Sequence, residues 1–158
     1  MADKTNVPDR KEMNRRLIEL AENTTIRFWR VDYGQLSSAE RVFGVIWELE
    51  SEVNNGGFYQ YFWNSSGALA PDSVGALQVI GADATARLAR AALALAGNDV
   101  PWSDDAARQA SIGRLPIATK DKLNELDQAY YASSDDLTSL LYKYVSAHKR
   151  EIGVPPEF

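Results

Sequence analysis

Glu50-Ser51-Glu52-Val53-Asn54-Asn55-Gly56-Gly57-Phe58-Tyr59-Gln60-Tyr61-Phe62-Trp63-Asn64 is the stretch that decides how this chain is read. Five of the six residues from Phe58 to Trp63 are aromatic, too many for an ordinary exposed surface, so the segment belongs to a core. A strand would suit the composition. No second strand-like run exists to pair with it, and an isolated strand is not stable, so the pattern predicts a helix. The two glycines before it supply a residue able to take positive φ, which stops the preceding helix.

Upstream of the glycines, Val42, Ile46, Leu49 and Val53 recur at helical spacing, flanked by Phe43, Val45 and Trp47. Ser37-Ser38-Ala39-Glu40 opens that helix with a capping box. Further back, Asp9 to Ala21 carries Met13, Leu17 and Leu20 on one face, with Arg10, Lys11, Arg15 and Arg16 mostly on the other, an amphipathic first helix. Those bases either face solvent or dock on the acidic body of this or a second subunit.

Downstream, Asn64-Ser65-Ser66-Gly67 reads as a turn, and Pro71-Asp72 opens a helix that breaks at Gly81. Asp83 is expected to cap an alanine-rich helix with Leu88, Ala92 and Leu95 on its stripe, ended by Gly97. Residues 98–118 look irregular, with only a short helix capped around Ser103-Asp104-Asp105. Thr119 is expected to cap a helix through Leu123, Leu126 and Tyr130. Ser134, aided by Asp135 and Asp136, is expected to cap the last, with Leu137, Leu140, Leu141, Tyr144, Val145 and His148 on its apolar face. The sum is an all-α single domain of about seven helices: a basic amphipathic helix in residues 1–34, a helical core over 35–150, and a short tail over 151–158.

A chain of 158 residues encloses a core without staples, and it has no cysteine with which to form any. The first 30 residues hold five acids and seven bases and no apolar signal core, so cytoplasmic residence is expected, with no membrane span. The triplets Asn23-Thr24-Thr25 and Asn64-Ser65-Ser66 match a glycosylation acceptor, which matters only in a secreted chain. The net charge is −5, yet residues 31–140 carry 15 acids against seven bases. Such a body repels phosphate backbones and argues against direct nucleic-acid binding.

The search for chemistry finds no catalytic residue, metal site or cofactor motif, and no enzyme is expected. The one histidine, His148, sits on an apolar stripe near a helix end, where an imidazole packs or caps carbonyls. Glu48 and Glu52 share a helix face, but a carboxylate di-metal site also needs Glu-x-x-His pairs that one histidine cannot supply. Pro71-Asp72-Ser73-Val74-Gly75 has proline where a nucleophile elbow needs glycine.

The motif from Glu50 to Asn64, together with Ile80-Gly81-Ala82, Leu126-Asp127-Gln128-Ala129-Tyr130-Tyr131 and Leu137 through Tyr144, resembles the helical family of DNA-mimic proteins and relatives without an assigned role. The resemblance spans roughly residues 35–148. It implies an all-helical domain, frequently a homodimer, whose acidic surface imitates duplex phosphates and occupies a DNA-binding protein such as a transcription regulator. Within the motif, Asn55, Gly56, Gly57, Phe58, Gln60, Tyr61, Phe62 and Asn64 read mainly as fold determinants. Asn55, Gln60 and Asn64 lining a recognition pocket is the other reading.

A DNA mimic must meet the charge density of the duplex, about one charge per 1.7 Å of axis. Carboxylates four residues apart on a helix lie about 6 Å apart. Several rows, from neighbouring helices or two subunits, are therefore required. The expected partner surface is a field of Asp104, Asp105, Asp121, Glu125, Asp135 and Asp136, with Glu48 and Glu52 as a further acidic edge. The expected activity is non-catalytic binding of a basic protein partner; a toxin-neutralising protein is the alternative.

Overall fold

The computed structural model describes residues 7–23 and 26–158; Thr24 and Thr25 of the first acceptor triplet, and the first six residues of the basic segment, lie outside them. Among the described residues the regular structure is helical: α1 Arg10–Glu22, α2 Ser38–Trp63, α3 Ala70–Val79, α4 Asp83–Ala96, α5 Asp105–Gly113, α6 Ile117–Tyr131, α7 Leu137–Ala147 and the one-turn α8 Lys149–Ile152. None is long and apolar enough to cross a membrane.

The centre of the molecule is α2, because it buries more side chains than any other described helix. Phe43, Ile46, Leu49, Val53, Phe58, Tyr61 and Phe62 are all essentially inaccessible. Helices α3, α5 and α6 pack around it, α4 lies against both α3 and α6, and α1 lies along α7. The start of α2 is the capping box read from the sequence: Ser37 Oγ accepts the Glu40 N–H, and Glu40 Oε2 accepts the Ser37 N–H at 2.7 Å. The aromatic run is helical too, joined to the preceding helix across a break at Gly57.

The amphipathic first helix buries Met13, Leu17 and Leu20 as its spacing requires, and Asp9 caps it. Its bases serve the chain itself. Arg10 Nε pairs with Asp136 at 3.1 Å, Arg15 with Glu12 and Glu19, and Arg16 with Glu12 and the Tyr142 hydroxyl.

Several helix starts differ from the sequence reading. Residues 98–118 are not mainly irregular: α5 and the start of α6 fill eleven of the 21, and Asp104 caps α5, its side chain accepting the Ala107 N–H at 2.9 Å. Asp83 is the first residue of α4 rather than its cap. The cap comes instead from a distant segment, with Asp135 Oδ2 accepting both the Thr85 N–H at 2.7 Å and its hydroxyl. Thr119 lies inside α6, which starts after Pro116, where a fixed φ and a missing N–H suit a helix entry. Asp136, not Ser134, caps α7, by accepting the Ser139 N–H. The buried face of α4 is Ala86, Ala89, Ala92 and Ala96; Leu88 and Leu95 are half-buried at its edge. Alanine brings α4 close to α3 and α6. The tail is held down, since Lys149 donates to the Phe158 carbonyl at 2.7 Å and the Phe158 ring stacks on Tyr142.

Candidate functional site

Everything distinctive in the motif converges on the break at Gly57. Its φ of 81° and ψ of −179° lie in a region that only glycine occupies readily. The break frees the Phe58 N–H, which would otherwise sit buried without a partner, and Asp127 of α6 accepts it at 2.8 Å. Asp127 is only 7% exposed, and burial pushes its carboxyl above the usual range although the Phe58 bond opposes this. A Cβ on Gly57 would collide with that carboxylate. Glycine is thus required twice, by conformation and by space.

The far end of the aromatic segment is held by Arg108 of α5, a fully buried guanidinium. Its Nε donates to the Phe62 carbonyl at 3.0 Å, Nη1 to that of Trp102 at 2.7 Å and Nη2 to that of Asn64 at 2.8 Å. These include carbonyls that a helix end leaves open. Asp105 neutralises the cation at 2.7 Å. A buried acid and a buried base from two other helices therefore cap the two ends of one short aromatic helix.

The acids of the motif also have partners. Glu52 accepts from Gln60 Nε2 at 2.8 Å, Asn64 Nδ2 at 2.9 Å and Ser66 Oγ at 3.2 Å, tying α2 to the turn that follows it. Gln60 and Asn64 thus turn towards Glu52, while Asn55 and Gly56 are exposed at the break. Glu48 has no hydrogen bond among the described residues, and partial burial and then Glu52 raise its carboxyl above the ordinary range. Glu50 accepts the Tyr130 hydroxyl, and Tyr131 donates to the Val53 carbonyl at 2.7 Å. Among the described residues no group of three or more His, Cys, Asp or Glu side chains is placed to hold a metal. His148 packs on Tyr144 with ring centroids 4.1 Å apart, its Nδ1 2.8 Å from the Tyr144 carbonyl.

The acids read as one field fall into three groups, with no hydrogen bond among the described residues joining one group to another. Asp104 and Asp105 sit at the start of α5, one capping it and the other pairing with Arg108. Asp135 and Asp136 cap α4 and α7, and Asp136 also binds Arg10. Asp121 and Glu125 are exposed on one face of α6 and make no such bond among the described residues. Two residues central to this arrangement escaped the sequence reading. Asp127 left a signal, an acid on the apolar stripe between Leu123 and Tyr130. Arg108 was missed because the carbonyls of Phe62 and Asn64 that it holds lie more than 40 residues away in the chain, although Asp105 stood three residues from it.

No curated protein and no solved structure matches the sequence. Residues 34–148, the span that contains the glycine break, both of its buried caps and the acidic helices, match the model of the DMP19-like (DNA mimic protein 19) family, and the chain belongs to that family.

Proposed function

We propose that this protein is a non-catalytic interaction module that occupies a basic DNA-binding protein, such as a transcription regulator, by offering carboxylates where that protein binds phosphates. The observation that carries the reading is the family match over residues 34–148. Asp121 and Glu125 are the centre of the contact surface, since they are exposed and make no internal bond among the described residues. Asp104, Asp105, Asp135, Asp136, Glu48 and Glu52 contribute further charge, all but Glu48 while bonded within the fold. One helical row is too sparse to imitate a duplex. The functional unit is therefore a homodimer that doubles the rows, and sedimentation is expected to show a species heavier than the 17.5 kDa chain.

The test is a variant with Asp121→Asn and Glu125→Gln. Capture of a basic, DNA-binding partner should weaken and become less salt-dependent, because exposed charges are screened over about 8 Å at physiological ionic strength. Undiminished capture would exclude these two acids from the contact. A toxin-neutralising protein would share the acidic surface, but its partner would not be displaced by duplex DNA.

A further inference from the structure

Helices α1, α2 and α7 line a half-open cavity of about 250 Å³ that the contact surface described above does not use. Its walls include Leu17, Trp47 and Leu141, with Ile18 and Asn54 also lining it. Ile18, off the buried Met13, Leu17 and Leu20 face of α1, is 36% exposed. The wall nearest the core contributes Glu50, the first residue of the motif. One Glu50 oxygen accepts the hydroxyl of the buried Tyr130, and no cation lies within ion-pairing distance of the carboxylate among the described residues. A half-buried carboxylate in an apolar cavity is costly unless something satisfies it. Burial accordingly raises its carboxyl above the ordinary range, with the Tyr130 and Asn54 side chains and Arg10 acting against this.

We propose that this cavity receives one arginine or lysine side chain of the partner protein, its aliphatic stem lying between Leu17, Trp47 and Leu141 and its charge meeting the Glu50 carboxylate. The proposal rests on the reading that the partner is basic, and deepens it. Exposed carboxylates supply long-range attraction, whereas a lined pocket supplies register, because only one partner side chain fits it. Charge complementarity selects the occupant. An acidic or neutral side chain would leave the Glu50 carboxylate unpaired in a site that the occupant has dried.

The experiment titrates the isotope-labelled protein with Nα-acetyl-arginine amide and with its neutral counterpart Nα-acetyl-norleucine amide. Binding is followed at the Trp47 indole N–H resonance, assigned with Trp47→Phe. The arginine probe should shift that resonance saturably and the norleucine probe should not. Glu50→Gln, which keeps an acceptor for Tyr130, should weaken the arginine probe at least about tenfold, as expected for loss of a charge-assisted bond. Should Glu50→Gln fail to fold, Ser51→Trp, at an exposed position on the cavity lining, should block binding while leaving Glu50 in place. Equal shifts by both probes, or arginine binding indifferent to both variants, would overturn the proposal. Failure of the titration while duplex DNA still displaces a captured partner removes the pocket alone. Saturable, Glu50-dependent binding alongside a partner that DNA does not displace keeps the pocket and removes the DNA-mimic reading.

Discussion

Gly57 and Arg108 are the two residues on which the aromatic segment depends, for different physical reasons. Gly57→Ala should destabilise the protein by at least about 2 kcal/mol in urea unfolding, because a backbone region that is essentially glycine-only costs a side chain about 1–3 kcal/mol and the new Cβ also strikes Asp127. Combined with Asp127→Ala the loss should be less than additive, since the two changes share one contact. A wild-type melting point for Gly57→Ala would remove the account of the break. Arg108→Lys should cost about 3 kcal/mol or more despite keeping the charge, because an ammonium cannot replace a planar fork that reaches three carbonyls and a carboxylate. The first of these residues was legible in the sequence and the second was not. Positive φ at a Gly-Gly pair is a local property, whereas the bonds of Arg108 span more than 40 residues of chain.

At the scale of the element, helix starts are where reading and structure part. The capping box at Ser37 was legible because both partners lie within one turn. The cap of α4 was not, because its acceptor, Asp135, comes from 50 residues away. Local spacing also assigned Asp83, Thr119 and Ser134 to caps that Asp135, the Pro116 entry and Asp136 fill instead. These assignments separate the acids by stability. Asp135→Ala and Asp104→Ala should each cost about 1 kcal/mol, the usual loss on removing an N-cap. Asp121→Asn with Glu125→Gln should change stability by less than about 0.5 kcal/mol. Thermal melts of the three variants decide it. A loss for the α6 pair as large as for the caps would mean that Asp121 and Glu125 also hold the fold.

For the whole molecule, the helical architecture followed from periodicity because most helices here bury one face against neighbours, and periodicity reports burial. The acidic surface did not follow, because composition counts charges without saying which are already engaged. Three partly or wholly buried carboxylates give the molecule a pH signature. Burial raises Glu48, Glu50 and Asp127 above their ordinary values. The folded state then holds these protons more tightly than the unfolded chain does. The associated stability is fully present below the ordinary carboxylate values and is lost as pH rises through the raised ones. Working the other way, hydrogen bonds from Arg15 and then Arg16 hold Glu12 at about 2, so that contribution is lost only in strong acid. The melting temperature should therefore fall as pH rises from about 5 to 7. Glu50→Gln should flatten the slope across that interval, and a peak above neutrality with an unchanged slope in the variant would contradict the assignment.

The central claim is that the acidic surface stands in for duplex DNA, and competition tests it most directly. The tagged protein is used to capture its partner from the native cell, and the complex is challenged with increasing duplex DNA at fixed salt. Release of the partner by DNA is expected, and capture without DNA should weaken as salt rises, because carboxylate contacts are screened. Retention of the partner at saturating DNA would contradict it.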